Sequence, residues 1–391
     1  MQIQLEKTLD VEVVERQLFE LWKQTAGDRK ASDEAAVMRA RVANLLVFVT
    51  SAEALEHAHQ MLSELTAVHP SRVLMMLGAL ADEDRDIEMT VESFCQTDKR
   101  SGAKRLTCEE VTLQARGKFV AELPSAALPL LVPDLSTFLW WRNAPQAANK
   151  VFETLLRATD RLVIDSAEFE DPERDLLQTN ELYSQEQFDH VGVSDLNWAR
   201  LTLWRGLLAD FYDVHSYQTW LEKIDSAQID YVAPERGQTS VAPQALLIAG
   251  WLASRLGWQL VEEQQIERRE ETTSFNFTGK NSQPLNVKLN RVERARRKPG
   301  RLVQVKLESS EAEGRKGRAS FVVARSANNL HVLSEARLGP SIHRGRVLPV
   351  RNRSAAHLLS REMEILCNDQ IYQEAIAFAA ELIARLSKTP H

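Results

Sequence analysis

The feature that most constrains the fold is a change in hydrophobic period between the two halves of the chain. Residues 44–49 (NLLVFV) and 72–80 (RVLMMLGAL) are short apolar runs, and the residues between them place apolar side chains at helical spacing. This strand–helix–strand pattern predicts two parallel strands buried on both faces. From residue 285 the period becomes two, because PLNVKLN and LVQVKLE alternate apolar and polar side chains. That alternation predicts an antiparallel sheet covered on one face.

The pattern after residue 80 extends the first part. Alternating residues on both sides of TDKRSGAKR predict a β-hairpin, and strands at residues 135–141 and 161–165 are separated by a helix at residues 147–159. Another strand is expected at residues 227–233. The first part should therefore form one mixed α/β sheet.

The pattern in the last third of the sequence predicts a second domain. Pro243 and Gly257 bound a helix, several alternating strands follow, and helical residues 354–386 are expected to cover their sheet. We therefore predict an α/β protein with an N-terminal mixed α/β sheet domain, residues 1–240, and a smaller α+β domain, residues 241–391. In the smaller domain an antiparallel sheet packs on C-terminal helices.

Composition indicates a globular protein, with 44% apolar and 26% charged residues. No run approaches the ~18 apolar residues of a membrane span, and the first residues lack a signal-peptide pattern, so we expect a cytoplasmic protein without membrane association. Cys95, Cys108 and Cys367 are too few and too scattered for a disulfide framework. Cys95 and Cys108 lie on the two arms of the predicted hairpin. They could form a thiol switch or remain two unpaired thiols in the core, and the second interpretation is preferred.

Charge is distributed unevenly along the chain. Residues 285–391 hold 20 Lys and Arg and 10 Asp and Glu, whereas the whole chain has a net charge of −7. Such asymmetry steers a charged partner to one end of a molecule. The basic residues 291–301 could grip phosphate groups, but they lack interleaved aromatic side chains, so a solvated hairpin end is the preferred interpretation. Nucleic-acid binding therefore ranks third among the hypotheses.

Motifs of the common catalytic sites are missing from the sequence. A dinucleotide fold needs GxGxxG after the first strand, but Val49 is followed by Thr-Ser-Ala-Glu, and there is no GxSxG or HExxH. His57 and His59 lie two apart on a predicted helix, so their side chains point in different directions and a shared metal is not expected. We predict no cofactor and no metal.

Two aromatic stretches carry the candidate contact residues. In LLVPDLSTFLWWRN, neighbouring Trp140 and Trp141 must face opposite sides of a strand, so one should pack under a helix and the other, with Arg142, should lie at the carboxyl end where ligands bind. In the alternative, helices cover both tryptophans and Arg142 pairs with Asp134 or Asp195.

The second stretch, SDLNWARLTLWRGLLADFYD, begins at Ser194. Asp195 should cap a helix whose Trp198 and Trp204 pack in the core, with arginines on its other side. Tryptophan and arginine are common at the centre of protein interfaces. The predicted partner-binding residues of the whole chain are Trp140, Trp141, Arg142, Arg72, Asp195, Arg200 and Arg205.

These stretches, with HPSRVL at residues 69–74, resemble the OpcA family, the glucose-6-phosphate dehydrogenase assembly proteins of cyanobacteria and actinobacteria. The resemblance extends through the basic second half to NDQIYQEAI at residues 368–376. It implies a non-enzymatic protein that binds glucose-6-phosphate dehydrogenase, promotes its active oligomer and raises its activity in the oxidative pentose phosphate pathway. Photosynthetic relatives are linked to thiol control through paired cysteines near the C-terminus, where this chain has only Cys367.

The leading hypothesis is thus an assembly factor and allosteric activator. The competing hypothesis is a sugar-phosphate hydrolase or isomerase that works in the α/β-domain cleft, with Arg142 and Arg72 holding the phosphate. The sequence leaves the chain's own oligomeric state and the docking face open.

Overall fold

The computed structural model describes residues 3–5, 11–26, 42–66, 68–97, 104–233, 240–261, 267–269, 271–293, 298–312, 315–350, 354–365 and 367–387. The strands are β1 (Ile3–Leu5), β2 (Ala43–Val49), β3 (Ser71–Ala79), β4 (Arg85–Thr97), β5 (Lys104–Arg116), β6 (Thr137–Trp141), β7 (Arg161–Ile164), β8 (Gly192–Asp195), β9 (Ile224–Val232), β10 (Gln259–Leu260), β11 (Glu267–Arg268), β12 (Thr272–Thr278), β13 (Pro284–Val292), β14 (Leu302–Ala312), β15 (Arg315–Arg325), β16 (His331–Leu338) and β17 (Ser341–Pro349). The α-helices are α1 (Val11–Ala26), α2 (Ala52–Thr66), α3 (Leu123–Ala127), α4 (Lys150–Leu156), α5 (Pro172–Glu181), α6 (Leu196–Arg200), α7 (Thr202–Asp210), α8 (His215–Leu221), α9 (Pro243–Leu256), α10 (Ala355–Glu362) and α11 (Gln370–Leu386).

These elements form two compact units, and the predicted α/β class is confirmed. One unit comprises Met1–Glu168, Leu182–Leu196 and Arg353–Asn368, and the other comprises Phe169–Glu181, Asn197–Asn352 and Asp369–His391. The units interleave along the sequence. The contiguous division into residues 1–240 and 241–391 stays a prediction.

The first unit is built on an eight-stranded sheet in the order β1-β4-β5-β3-β2-β6-β7-β8. Strands from β5 to β8 run parallel, and β4 joins β5 as an antiparallel hairpin. Every residue of β2 is buried, as its continuous apolar run requires in a sheet covered on both faces. The predicted strand–helix–strand unit β2-α2-β3 is therefore confirmed, and so is the hairpin.

The second unit contains a nine-stranded sheet, in which β10-β12-β13-β9-β14-β15-β16-β17 form a path and β11 pairs with β12. The period-two pattern appears as expected: β13 buries Leu285, Val287 and Leu289 and turns its polar residues outward. Most strand pairs of this sheet are antiparallel, as predicted, but β9 runs parallel to β13, so the sheet is mixed. Local alternation does not reveal this pair, since the two strands are far apart in sequence.

The closing helical segment is divided between the two units. In the first unit α10 packs on α2, and in the second unit α11 packs on α9 and α5. The sequence predicted one helical cover for the second sheet, whereas α11 contacts mainly α9, which in turn packs on β9. Among the described residues, no helix is long and apolar enough to cross a membrane.

The two helices α9 and α11 approach closely at Gly250. A Cβ added to Gly250 would lie 2.2 Å from the backbone oxygen of Ala375 and 3.1 Å from the nitrogen of Ala379. Because backbone atoms of a packed helix cannot yield to a methyl group, only glycine fits there. The same glycine costs helix stability by itself, so packing outweighs propensity at this position.

We expect Gly250→Ala to lower the free energy of unfolding by about 1–3 kcal/mol or more, as overpacking does. Urea unfolding followed by circular dichroism measures this change. The matched control is Gly206→Ala in α7, where an added Cβ meets nothing within 4 Å. The control should stabilise slightly, by about 0.4–1 kcal/mol. Equal effects of the two substitutions would contradict the close approach of α9 and α11.

A buried carboxylate and a histidine join α2 to the first sheet. The His59 Nδ1 atom lies 2.8 Å from Oε1 of Glu110, whose side chain is 1% exposed, and the Thr112 hydroxyl donates to the same oxygen. The hydrogen bond to Glu110 raises the pKa of His59 above its usual value; burial opposes this rise, and the charges of Glu110, Glu92 and Glu56 add to it. Protonated His59 thus balances a carboxylate that water does not reach.

This pair predicts a pH dependence of stability. A pKa that is higher in the folded than in the unfolded chain gives stability that is complete below the unfolded value of 6.5 and is lost as pH rises through the folded value. We expect the unfolding free energy of the wild type to fall relative to His59→Gln as pH rises above the unfolded pKa of 6.5. Urea unfolding at a series of pH values measures the difference. His190→Gln, at an exposed position, serves as the control and should track the wild type.

Candidate functional site

The strand order of the first sheet reverses between β2 and β6. β3 and β5 follow on one side of this pair and β7 and β8 on the other. Open α/β sheets bind ligands at the carboxyl ends of such strands, because the loops there diverge and leave a crevice. The residues at this switch point are Thr50 and Ser51, which lead into α2, and Arg142, which follows β6. The Ser51 hydroxyl accepts from the Ala54 amide at 3.1 Å and caps α2.

Arg142 fills the switch point and is held on several sides. Its guanidinium donates to Oε2 of Glu168 at 3.0 Å and to the carbonyl of Ala54 at 3.2 Å, and lies 3.3 Å from Nδ1 of His57. It also lies 5.2 Å from the ring centre of Trp140. The side chain is only 9% exposed. The expectation that Arg142 pairs with a carboxylate is met by Glu168, rather than by Asp134 or Asp195.

Both tryptophans of the WWR motif lie in the interior. Trp141 stacks on Phe48 with ring centres 4.3 Å apart, contacts Phe152, and donates from Nε1 to the carbonyl of Ala144 at 3.1 Å. Trp140 is 2% exposed. As predicted for a strand, their side chains face opposite sides, but the sheet is covered on both faces and buries both. The expectation that one tryptophan lies open beside Arg142 was wrong.

Arg72 of β3 is the most deeply buried of the candidate arginines. It donates to Glu109 Oε2 at 2.7 Å and 3.0 Å, to the carbonyl of Leu130 at 3.0 Å, and to Glu15 of α1. Its side chain is 1% exposed. Burial by itself lowers the pKa of Arg72, and hydrogen bonds and charges from Glu15 and Glu109 outweigh it and raise that pKa. Arg72 therefore joins α1, β3 and β5 and cannot reach a phosphate or a partner.

Asp195 ends β8 and is also buried. Its carboxylate accepts from the Ser166 amide at 3.0 Å and from the Ser166 hydroxyl at 2.6 Å. The sequence suggests that Asp195 caps the helix that begins directly after it, and this stays a prediction. Its carboxylate also fixes the turn that follows β7. Its contact with a partner is thus excluded in this conformation.

The aromatic residues of the second stretch tie α6 and α7 to α11 within the second unit. Trp198 donates from Nε1 to Asp369 at 2.8 Å, and Asp369 also caps α11 by accepting from the Tyr372 amide. The guanidinium of Arg205 lies 3.5 Å from the ring centre of Trp198. Core packing of Trp198 and of the buried Trp204 was predicted and is confirmed. Arg200 and Arg205 are half-buried and keep some access to solvent.

A buried amide chain escaped the sequence reasoning. Gln244 of α9 donates to Asn197 Oδ1 at 2.7 Å and accepts from the Leu302 amide at 3.0 Å. Gln244 lies in an apolar helix, PQALLIAGWLASRL, where one amide among aliphatic residues is the only signal that the sequence offers. A buried amide must find partners, so it links α6, α9 and β14.

The two histidines of α2 contact different residues, and strand register does not place Cys95 opposite Cys108. His57 contacts Arg142 and His59 contacts Glu110, so their side chains diverge as expected. In the hairpin, Cys108 lies opposite Phe94 rather than Cys95, whose side chain is outside the described part. Burial raises the pKa of the Cys108 thiol well above its usual value, which makes it a poor nucleophile at neutral pH. Cys367 is exposed.

Arg72 gives a direct test of the site's interior. We expect Arg72→Met to lower the free energy of unfolding by about 3–5 kcal/mol, because the Glu109 carboxylate stays buried without its cation. Denaturant unfolding measures the loss, and the double variant Arg72→Met/Glu109→Gln should recover part of it. Arg157→Met, which removes an exposed pair with Glu153, should change stability by less than about 1 kcal/mol. No recovery in the double variant would contradict the pairing argument.

Two successive parts of the chain match domains of a known family. Residues 62–181 match the OpcA-family description "glucose-6-phosphate dehydrogenase subunit N-terminal domain", and residues 191–376 match the corresponding C-terminal domain. Together the two matches take in most of the chain, in the order in which the domains are named.

Individual relatives agree with these matches. A putative OxPP cycle protein OpcA from Nostoc punctiforme is 32% identical over 226 residues, which are 58% of this chain and 46% of that protein. Its counterpart from Synechocystis is 27% identical over 322 residues, 82% of this chain and 65% of that protein. The chain thus spans about half to two thirds of the length of these curated relatives.

Solved structures show weaker likeness. Levoglucosan dehydrogenase in complex with NADH and L-sorbose has a TM-score of 0.45 at 8% identity, over 90% of this chain and 98% of that one. An aldose-aldose oxidoreductase from Caulobacter crescentus has a TM-score of 0.43 at 9% identity, over 89% and 99%. Likeness at this level transfers no chemistry. The two successive domain matches and the sequence relatives establish instead that this chain belongs to the OpcA family.

Proposed function

We propose that this chain is a non-catalytic assembly factor that binds glucose-6-phosphate dehydrogenase, promotes its active oligomer and raises its activity. The observation that carries the proposal is the succession of two domain matches, both described as parts of a glucose-6-phosphate dehydrogenase subunit. The names of the relatives, putative OxPP cycle proteins OpcA, support a role of this chain in the oxidative pentose phosphate pathway. A cytoplasmic location belongs to this proposal.

Activation by binding has a thermodynamic requirement. A bound protein raises an enzyme's activity only if it binds the active state more tightly than the resting state, since equal affinity shifts no equilibrium. The proposed role therefore needs a preformed surface rather than a catalytic group. The densely paired interior of the first unit supports such a rigid role.

The switch point of the first sheet favours a scaffold over a dinucleotide site. Where dinucleotide-binding sheets carry glycines that admit a pyrophosphate, this chain carries Thr-Ser-Ala-Glu, and Glu53 adds a negative charge to the first turn of α2. An anion at that turn would meet this carboxylate. Arg142, the nearby cation, is already engaged by Glu168.

The alternative, a sugar-phosphate hydrolase or isomerase in the α/β cleft, loses its phosphate-binding pair. It required Arg142 and Arg72 to face a common ligand, but Arg72 is enclosed by Glu109 and Glu15. A substrate phosphate would have to displace both carboxylates from a buried guanidinium. This cost argues against the enzyme hypothesis.

The seven predicted contact residues divide by burial. Trp140, Trp141, Arg72 and Asp195 are at most 2% exposed, so we assign them to the scaffold. Arg142 is nearly as enclosed. Arg200 and Arg205 are half-buried on α6 and α7 and stay proposed contact residues.

The proposal is tested by mixing the purified chain with the glucose-6-phosphate dehydrogenase of the same organism. We expect the two to co-elute in size-exclusion chromatography, and NADPH formation to rise through a lower KM or a higher kcat. An equal mass of serum albumin controls for nonspecific stabilisation.

Two results would count against the proposal. The first is separate elution together with unchanged KM and kcat. The second is turnover of pentose-phosphate intermediates by the isolated chain, which would instead support the enzyme hypothesis.

A further inference from the structure

One edge of the second sheet carries aliphatic side chains that its own unit leaves uncovered. Leu333 of β16 and Ile342 and Val347 of β17 are 37%, 55% and 60% exposed. Scattered exposed aliphatic residues are ordinary, but a group of them on neighbouring strands marks an interaction surface.

Strand register places these three side chains on one face. Leu333 lies opposite Val347, and Arg337 lies opposite Ile342 on the same side of β16. Leu333 also lies opposite Ala324 of β15, so Ala324, Leu333 and Val347 form a continuous aliphatic row across three strands. We call this group, with Ile342, the edge patch. The opposite face of the same strands buries Phe321, Val323, Val332 and Ala336.

The surroundings of the edge patch are basic. Residues 317–349 contain five arginines and a single acidic residue, Glu335. Glu335 pairs with Arg337 at 2.8 Å, and Arg346 pairs with Asp210 of α7 at 3.0 Å. Arg344 lies opposite Glu335 on the edge strand and is exposed. A partner that covers the aliphatic row therefore meets a positive rim.

The edge position adds backbone groups to this surface. Among the described strands β17 pairs with β16 alone, and almost all of its residues are exposed. Its register shifts where the Arg346 amide donates to the Ser334 hydroxyl at 2.8 Å. Basic residues and register shifts are also devices that protect an edge from pairing with other copies. Protection by charge does not require three exposed aliphatic side chains, so it leaves the edge patch unexplained.

Charge decides which occupant the edge patch fits. A second copy that pairs through the same edge would bring arginines against arginines, which repel. A nucleic acid would gain from the positive rim but would place charged phosphates over the aliphatic row, and no aromatic side chain there stacks a base. An acidic protein surface with a projecting aliphatic residue satisfies both the row and the rim.

We propose that the edge patch is a docking surface for an acidic, partly aliphatic surface of a partner protein. This inference rests on the proposed function and makes glucose-6-phosphate dehydrogenase the expected partner. It assigns a docking face to β15–β17 of the second unit, in addition to the proposed contact residues Arg200 and Arg205 and in place of the WWR motif of the first unit.

The test compares binding of matched variants to the dehydrogenase by surface plasmon resonance. Ile342→Asp and Arg344→Glu should each weaken binding at least about tenfold, which corresponds to about 1.4 kcal/mol. The controls are Leu80→Asp, at a 68% exposed aliphatic residue of the first unit, and Lys288→Glu, at an exposed lysine of β13. The controls should bind within about twofold of the wild type. Thermal unfolding of all four should match the wild type, because all four positions are exposed.

The possible outcomes distinguish a failure of the docking surface from a failure of the proposed function. If the wild type binds and the edge-patch variants bind equally well, the docking surface lies elsewhere and the proposed function stands. If the wild type does not bind the dehydrogenase, the proposed function fails and this inference fails with it. Two further results would overturn the assignment of an acidic partner. If the edge-patch variants still bind the dehydrogenase but lose a self-dimer in sedimentation, the occupant is a second copy of the chain. If they still bind the dehydrogenase but lose binding to a labelled DNA duplex, the occupant is a nucleic acid.

Discussion

Burial of charged groups inside the first sheet is the constraint on which the rest of that unit depends. Arg72, Arg161, Glu109 and Glu110 are each at most 2% exposed. A charge taken out of water destabilises a protein unless an opposite charge or several hydrogen bonds compensate it. Arg72 finds Glu109, Glu110 finds His59, and Arg161 finds the Ser194 hydroxyl and the carbonyl of Cys367. Each pairing fixes two elements that the sequence separates widely.

The same constraint explains why residue type alone does not distinguish contact residues from core residues. Tryptophan and arginine are frequent at interfaces, but they are equally suited to a core in which arginine is paired and tryptophan donates a hydrogen bond. Trp141 has its Ala144 carbonyl, and Arg142 has Glu168. Along the sequence, Arg72 lies 37 residues from Glu109 and 57 residues from Glu15, and Arg142 lies 26 residues from Glu168. No local pattern announces such distances, so sequence alone could not separate scaffold from surface.

Secondary structure was more accessible to sequence reasoning than topology. Continuous apolar runs predicted β2 and β3, and Pro243 with Gly257 predicted α9, since these signals are local. β8 was missed because it has only four residues and ends in Ser194 and Asp195, which looked like a helix start. The position of β9 in the second sheet depends on pairing with β13 and β14, which follow it at a distance. The edge patch required strand register, because only register shows that Leu333, Val347 and Ile342 share one face.

A basic rim around aliphatic side chains separates two stages of association. Long-range attraction to an acidic surface speeds encounter and is screened by salt within about 8–10 Å at physiological ionic strength. Aliphatic contacts act only after water has left, and salt does not screen them. Added salt should therefore slow association through the rim of Arg337 and Arg344 more than it speeds dissociation from Ile342 and Val347. The arginines that steer an acidic partner also repel the same edge of another copy, so an exposed strand edge can persist without self-pairing. One set of charges thus serves both solubility and selection of the partner.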